Sequence, residues 1–339
     1  MMNLRDLTYE EIEEVILSYG EKKFRAKQVY EWLYKGVSTF DEMTNVPLQL
    51  KERLAEEYFI NPCTIVKKLE SKIDDTKKYL FKLHDGNMVE SVAMYYKHGI
   101  SVCISCQVGC AMGCKFCAST IGGLVRSLTP GEILEQVIYV QKDIGQRISN
   151  IVMMGIGEPL ANFDNVVKFL KLVNDERGIN IGYRHISLST CGIVPKIYEL
   201  AELKLPITLS ISLHSPEDSS RSAIMPVNKK YNISELIKAC KAYQKICSRR
   251  ISFEYAIIKN VNDDIKDAQC LVKLLTGLMC HINIIPVNNV DENSFEKPSP
   301  ERISRFCQYL ESKGFTATVR RELGSDINAS CGQLRKNNL

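Results

Sequence analysis

From about residue 100 the chain switches between two hydrophobic rhythms. Short apolar runs, "GISVCIS", "ISNIVMMG", "HISLST", "ITLSISLH", "ISFEYAII" and "HINIIPV", read as strands. The stretches between them, such as "PGEILEQVIYVQKDIG", "NVVKFLKLVNDE" and "ISELIKACKAYQKIC", carry apolar residues at helical spacing. The first of these helices has its own start signal: Thr129 with Glu132 three residues on, and Pro130 at the first helical position. Strand and helix alternating about six times imply a parallel sheet or a partial barrel. Such folds carry their chemistry at the carboxyl ends of the strands.

The part of the chain before this region has a different rhythm. "LTYEEIEEVILSYG" predicts a helix opened by a Thr8–Glu11 capping box and ended by Gly20, with "RAKQVYEWLYKG" and "PLQLKERLAEEY" as two more. A helical module is therefore expected over residues 1–60. Residues 61–99 are expected to be β-rich, because "TKKYLFKLHDG" and "MVESVAMYY" alternate around an Asp-Gly turn. The barrel then runs over 100–322 and a C-terminal tail over 323–339. No short internal repeat or low-complexity segment interrupts this plan.

Composition narrows the class without naming it. With 339 residues, 45% hydrophobic and 25% charged, the chain has the make-up of a soluble globular protein. The net charge of +4, from 44 basic and 40 acidic residues, is too mild to establish a polyanionic partner by itself. Local clusters offer more: Lys22, Lys23, Arg25 and Lys27 in the helical module, and Lys67, Lys68, Lys72, Lys77 and Lys78 in the β-rich stretch. A solvated helix face explains the first cluster equally well. Acidic residues stand where an export signal would be apolar, and no apolar run approaches membrane-spanning length, so a cytoplasmic protein is expected. Thirteen cysteines then argue for a reducing compartment. Cys63, Cys191, Cys240, Cys247, Cys270, Cys280 and Cys307 are scattered and read as small core residues.

The other cysteines crowd into "CISCQVGCAMGCKFCAST", residues 103 to 120. Two metal readings compete there. Cys103 and Cys106 with Cys114 and Cys117 would close a tetrahedral zinc site, although the spacing between the pairs is short for a zinc ribbon. Alternatively Cys110, Cys114 and Cys117 hold three irons of a 4Fe–4S cube and leave the fourth iron without a protein ligand. An open position of that kind is what a catalytic metal centre keeps for its substrate.

The Cys110-x3-Cys114-x2-Cys117 spacing, with Phe116 before the last cysteine, resembles the radical S-adenosylmethionine superfamily. There the open iron chelates S-adenosylmethionine, and an electron from the cube splits the sulfonium to a 5′-deoxyadenosyl radical. The resemblance implies a partial (β/α)6 barrel, here an α/β fold with a small N-terminal helical accessory domain and a short β extension. Later strand ends offer matching cofactor contacts: Gly157 and Glu158 in "VMMGIGEPL", Ser189 in "SLSTCG", Ser212, Leu213 and His214 in "SISLH", and Asn288 in "IPVNN". Taken one at a time, such residues are more often turn or cap residues.

A wider set of motifs narrows the resemblance. "MMGIGEPLANFDNV", "ISLSTCGIVP", "SLHSP" followed by "RSAIMPVN", and "GSDINASCGQLR" resemble, in order, the RlmN/Cfr family of RNA adenosine methyltransferases over essentially the whole chain. Pro159 in Gly-Glu-Pro favours the branch that methylates carbon 2 of adenosine over the carbon-8 branch. That branch acts on 23S ribosomal RNA and on transfer RNA next to the anticodon. The resemblance implies Cys331 as an S-methylcysteine carrier, Cys103 as the cysteine that removes the carbon-2 proton and resolves an RNA–protein intermediate through a disulfide, and Glu90 as proton acceptor, with the division of the proton work between Cys103 and Glu90 left open. It also implies two S-adenosylmethionine molecules per turnover and a reductant such as flavodoxin or ferredoxin. A monomer with no membrane partner is expected. Arg320, Arg321, Arg335 and Lys336 are further candidate phosphate contacts. Relatives usually carry serine where this chain has Cys106, which keeps the zinc reading open. Under that reading the protein would bind RNA without catalysis.

Overall fold

The capping boxes legible in the sequence open the helices they predict. Thr8 accepts from the Glu11 N–H and Glu11 from the Thr8 N–H at the head of α1 (Tyr9–Ser18). The computed structural model describes residues 1–60, 63–288 and 294–334. In it α1 packs with α2 (Phe24–Tyr34) and α3 (Leu48–Glu57) around their own apolar cluster, which includes Ile12, Ile16, Val29, Leu33, Leu50 and Leu54. A short parallel pair, β1 (Met2–Asn3) with β2 (Tyr58–Phe59), brings the two ends of this module together.

The main sheet has ten strands. Seven run parallel: β6 (Gly99–Cys103), β9 (Ile148–Met153), β10 (Ile186–Thr190), β11 (Thr208–Ser212), β12 (Ile251–Ile257), β13 (Cys280–Pro286) and β14 (Thr316–Val319). β14 extends the expected run by one short edge strand. The β-rich stretch continues the same sheet beyond β6 as an antiparallel meander of β5 (Met88–Tyr96), β4 (Lys77–Lys82) and β3 (Thr64–Glu70). Between β6 and β9 a small ribbon forms from β7 (Gln107–Gly109) and β8 (Leu124–Ser127). The connecting helices are α4 (Pro130–Ile144), α5 (Phe163–Asn174), α6 (Val194–Glu202), α7 (Asp218–Ile224), α8 (Ile233–Cys247), α9 (Ile265–Leu275) and α10 (Pro300–Ser312). Among the described residues no helix is long and apolar enough to cross a membrane.

A buried ion pair ties the helical module to α4. Arg5 Nη1 lies 3.0 Å from Glu135 Oε1, and the guanidinium also donates to the carbonyls of Leu33 and Val37. The other Glu135 oxygen accepts the Cys63 N–H at 2.8 Å. Breaking such a pair by removing one partner generally costs about 3–5 kcal/mol, because the survivor keeps an uncompensated buried charge. The module is thus held on the sheet by a contact its own helices could not satisfy.

Candidate active site

The cysteine loop is the tip of the β7–β8 ribbon. Gly109 closes it with φ at 75°, where a side chain would run into the Gly123 carbonyl. The Thr120 hydroxyl braces the loop by donating to the carbonyls of Cys114, at 3.3 Å, and Cys117, at 2.9 Å. From outside, the Lys115 N–H donates to the Ile224 carbonyl at 2.9 Å. Cys110, Cys114 and Cys117 all line one open cavity of about 950 Å³ at the carboxyl ends of the strands.

The opposite wall carries the strand-end residues. Gly157, Glu158, Ser189, Ser212, His214 and Asn288 line the cavity, whereas the Leu213 side chain is fully buried in the core. Leu213 contributes through its backbone: its carbonyl accepts from Arg221 Nε at 3.0 Å. Gly157 sits at φ 107°, and a Cβ there would lie 2.6 Å from the Gln107 Cβ, so only glycine lets the loop after β9 pass the ribbon this closely. Glu158 accepts backbone N–H groups from Leu160 at 2.9 Å and Cys191 at 2.7 Å, joining the ends of β9 and β10. Burial nevertheless raises its carboxyl above the ordinary range. Its carboxylate faces the cavity, where it could meet a ligand ammonium.

His214 is locked as a neutral ring. It adopts φ 57°, lies edge-on to Phe116, with ring centres 4.8 Å apart, and its Nδ1 accepts the Ala256 N–H at 2.8 Å. Burial, with Arg221 nearby as a second cause, lowers its pKa from 6.5 to about 3. The folded value is the depressed one, so the unfolded chain binds the extra proton, and stability falls as pH drops from 6.5 toward 3. Each pH unit in that window costs about 1.4 kcal/mol from this group. In His214→Asn the amide oxygen replaces the Nδ1 acceptor and asparagine tolerates positive φ. Urea unfolding of the two proteins between pH 6.5 and 4.5 should show a shallower acid loss in the variant by that amount per unit; parallel slopes would contradict this assignment.

The donor chemistry fits an iron–sulfur cluster. Burial pushes the Cys110 thiol up to about 12, and it raises those of Cys114 and Cys117 as well. Cys110 and Cys117 raise Cys114 further, as sulfurs sharing one space do. A cationic core removes both penalties. The surroundings, Met112, Phe116 and Met225, are apolar, as a low-dielectric cluster pocket requires. The zinc reading needs Cys103 and Cys106 at the same point, and neither lines this cavity. The Cys106 side chain packs in the main core, while its carbonyl accepts from Asn162 Nδ2 at 2.9 Å. Among the described residues no group of three or more metal-ligating side chains converges on a single ion. A cubane makes no such demand, because its thiolates bind different irons.

Cys331 stands where this cavity meets a second chamber of about 600 Å³, which Cys103, Val92, Met94 and Tyr96 also line. Burial and the neighbouring Cys331 push the Cys103 thiol up to about 12. The tail carrying Cys331 is pinned along its length. The Cys331 carbonyl accepts from Asn288 Nδ2 at 2.8 Å, the Gly332 carbonyl from the Ala118 N–H at 2.8 Å, and the Leu334 carbonyl from the Ser119 hydroxyl at 2.9 Å. Glu90 faces neither chamber. It is buried on the same sheet face as Val92 but lines a third cavity, ion-paired to Lys78 at 2.7 Å.

Several residues that sequence reasoning treated as surface charge, or did not single out, prove to be interior. Arg320 lines both chambers instead of facing solvent, donating to the Met154 sulfur at 3.3 Å and lying 3.9 Å from Glu254. Nearby Cys331 is the largest cause of its raised pKa. Arg221 is fully buried beneath the strand ends and donates to the Cys191 carbonyl at 2.7 Å. Its position seven residues after His214, in "SLHSPEDSSR", carried no signal of burial. Lys68, Lys77 and Lys78 are ion-paired to Glu70, Asp143 or Glu90, and Lys23 to Glu13, which weakens the proposed basic stripes. Arg335 and Lys336 lie outside the described residues.

An open parallel sheet with a three-cysteine loop after its first strand defines a radical S-adenosylmethionine enzyme, and residues 104–269 match the family model of the Radical SAM superfamily. Residues 2–60 match the model of the ribosomal RNA large subunit methyltransferase N-terminal domain. A protein of Alkaliphilus oremlandii described as a probable dual-specificity RNA methyltransferase RlmN is 57% identical over 338 residues, covering 100% of this chain and 98% of the relative. One of Clostridium acetobutylicum with the same description is 53% identical, covering 99% and 98%. The crystal structure of a radical SAM methyltransferase from Sphaerobacter thermophilus superposes with a TM-score of 0.95 at 42% identity, covering 99% of this chain and 100% of that one. The chain belongs to the RlmN family of RNA methyltransferases. It is an S-adenosylmethionine-dependent enzyme whose family implies a 4Fe–4S cluster and an RNA substrate.

Proposed function

We propose that this enzyme makes 2-methyladenosine in 23S ribosomal RNA and in transfer RNA next to the anticodon, using Cys331 as methyl carrier. The single observation that carries this reading is the position of Cys331, at the junction of the Cys110–Cys114–Cys117 cavity and the Cys103 chamber. Carbon 2 of adenine lies between two ring nitrogens and is too electron-poor to attack a sulfonium methyl directly. The Cys331 thiolate takes that methyl by displacement instead. Cys110, Cys114 and Cys117 would hold the cluster, with Gly157, Glu158, Ser189, Ser212, Leu213, His214 and Asn288 around S-adenosylmethionine. Together the bound cluster and a second S-adenosylmethionine supply a radical able to abstract hydrogen from an S-methyl group.

The chamber walled by Val92, Met94 and Tyr96 receives the flipped adenine, since a stacked base is out of reach. Carbon 2 becomes bonded to the methylene on Cys331, and the odd-electron adduct gives up one electron, which the bound cluster would take back. Cys103, which lines that chamber, takes the proton that carbon 2 then loses and passes it to Glu90, its final acceptor across the Ile327 turn. Cys103 attacks the Cys331 sulfur, the methylene carbon departs with the bonding pair and is protonated to methyl, and a Cys103–Cys331 disulfide remains for cellular thiols to reduce. The proximity of the two cysteines supports that pairing. The cluster's electron would come from flavodoxin or ferredoxin. We assign residues 1–60 to RNA docking, 61–99 to support of the tail, 100–322 to the barrel and 323–339 to the carrier. Nucleoside mass spectrometry of RNA from a deletion strain tests the reading: it predicts loss of 2-methyladenosine, and loss of 8-methyladenosine instead would place the enzyme in the carbon-8 branch.

A further inference from the structure

Lys78 belongs to a run that reads as a basic surface stripe, yet it is 3% exposed. The sheet register explains why. Lys78 pairs with Val92, and Val92 with Cys103, so the three occupy one row across β4, β5 and β6. Residues in register point to the same face, here the face that the tail covers through Leu323, Ala329 and Leu334. Strands lie about 4.8 Å apart, so Lys78 stands two strand spacings, roughly 10 Å, from the Cys103 backbone. Glu90 is two residues before Val92 on the same face.

The Lys78 ammonium has two partners that belong to different parts of the site. It lies 2.7 Å from Glu90 Oε1 and donates to the Asn328 carbonyl at 3.1 Å. Asn328 ends the turn that precedes Cys331 and adopts φ 49°. That turn is anchored on its outer side as well, where Asp326 accepts from the Ser71 hydroxyl at 2.7 Å and the Lys72 N–H at 2.8 Å. Ile327 packs against the Val92–Cys103 cluster and lines the Glu90 cavity, so this turn is the partition between Glu90 and the chamber of Cys103.

We propose that Lys78 is a positioning residue for the methyl transfer to RNA, fixing Glu90 and the carrier turn to each other. The inference rests on the reading of Glu90 as proton acceptor. A carboxylate withdrawn from water needs a compensating cation, and one whose partner is shared with the tail keeps a fixed relation to Cys331. Loading of Cys331 with a methyl group needs neither Glu90 nor this alignment; removal of the carbon-2 proton needs both. Losing Lys78 therefore acts after carrier loading. The cavity beside the pair, about 520 Å³, leaves room for a longer cation.

The test uses full-length protein reconstituted anaerobically, with S-adenosylmethionine, dithionite and a transfer RNA transcript. Lys78→Met, Lys78→Arg and Glu90→Gln are compared by three readouts: intact mass for the methyl on Cys331, denaturing gels for covalent chain–RNA species, and nucleoside analysis for product. Lys78→Met is expected to load Cys331 normally, lose product at least about tenfold, and accumulate the covalent species; Lys78→Arg restores most of the product. Wild-type product from Lys78→Met, while Glu90→Gln stalls at the covalent species, overturns the inference and leaves the Glu90 reading intact. So does parallel loss of loading and product without rescue by Lys78→Arg, the signature of a merely structural lysine. Normal product from Glu90→Gln removes the Glu90 reading itself, and the inference with it.

Discussion

Replacing Cys331 with alanine is expected to abolish RNA methylation while reductive cleavage of S-adenosylmethionine continues. The separation follows from where the groups sit. Cys110, Cys114, Cys117 and the strand-end residues form their cavity with or without the Cys331 sulfur. The tail contacts that place residue 331 run through backbone: its own carbonyl to Asn288 and that of Gly332 to Ala118. Alanine keeps both. What disappears, under the proposed mechanism, is the nucleophile that accepts the methyl group and later binds the base. Chromatography of 5′-deoxyadenosine beside nucleoside mass spectrometry reads both halves. Cleavage at the wild-type level with product at background is the expected pair of results; methylated RNA at the wild-type level would remove the carrier from the mechanism.

Cys103→Ala is expected to arrest the same reaction one stage later. The Cys103 backbone pairs with Val92 and Val152, and alanine preserves those pairings, so the strand end stays in place. Loss of one buried sulfur is a modest cost, about 1 kcal/mol. Under the proposed mechanism nothing then attacks the Cys331 sulfur, and RNA is expected to stay bonded to the chain. The Cys103 thiol, pushed up to about 12 by burial, is inert in the resting protein, which suits a group needed only after RNA is attached. A slow, nuclease-sensitive band on a denaturing gel, with at most one turnover per chain, is the expected outcome. Repeated turnover at the wild-type rate, with no such band, would exclude Cys103 as the resolving group.

The features legible in the chain were those with local causes. The capping boxes at Thr8 and Thr129, the alternation of β6 through β13, and the cysteine spacing all depend on residues a few positions apart. The features hidden in it depend on distant partners. Glu158 ties β10 because the Cys191 N–H reaches it from 33 positions away. Arg320 reads as a free basic residue because β14, the four-residue strand that turns it inward, is too short to register as a period. Lys78 reads as surface because alternation along β4 shows that one face differs from the other, not that a tail 250 residues later covers it. Cys106, suspected as a competing ligand, packs in the core, where its carbonyl is held by Asn162 from 56 positions away.

The proposed open position at the fourth iron is tested most directly by electron paramagnetic resonance of the anaerobically reconstituted, reduced protein, with and without S-adenosylmethionine, alongside metal and sulfide analysis. The structure and the family together predict about four irons and four sulfides per chain and a cluster signal that changes when S-adenosylmethionine binds. A colourless protein holding one zinc and no sulfide, or a cluster whose signal ignores S-adenosylmethionine, would contradict it.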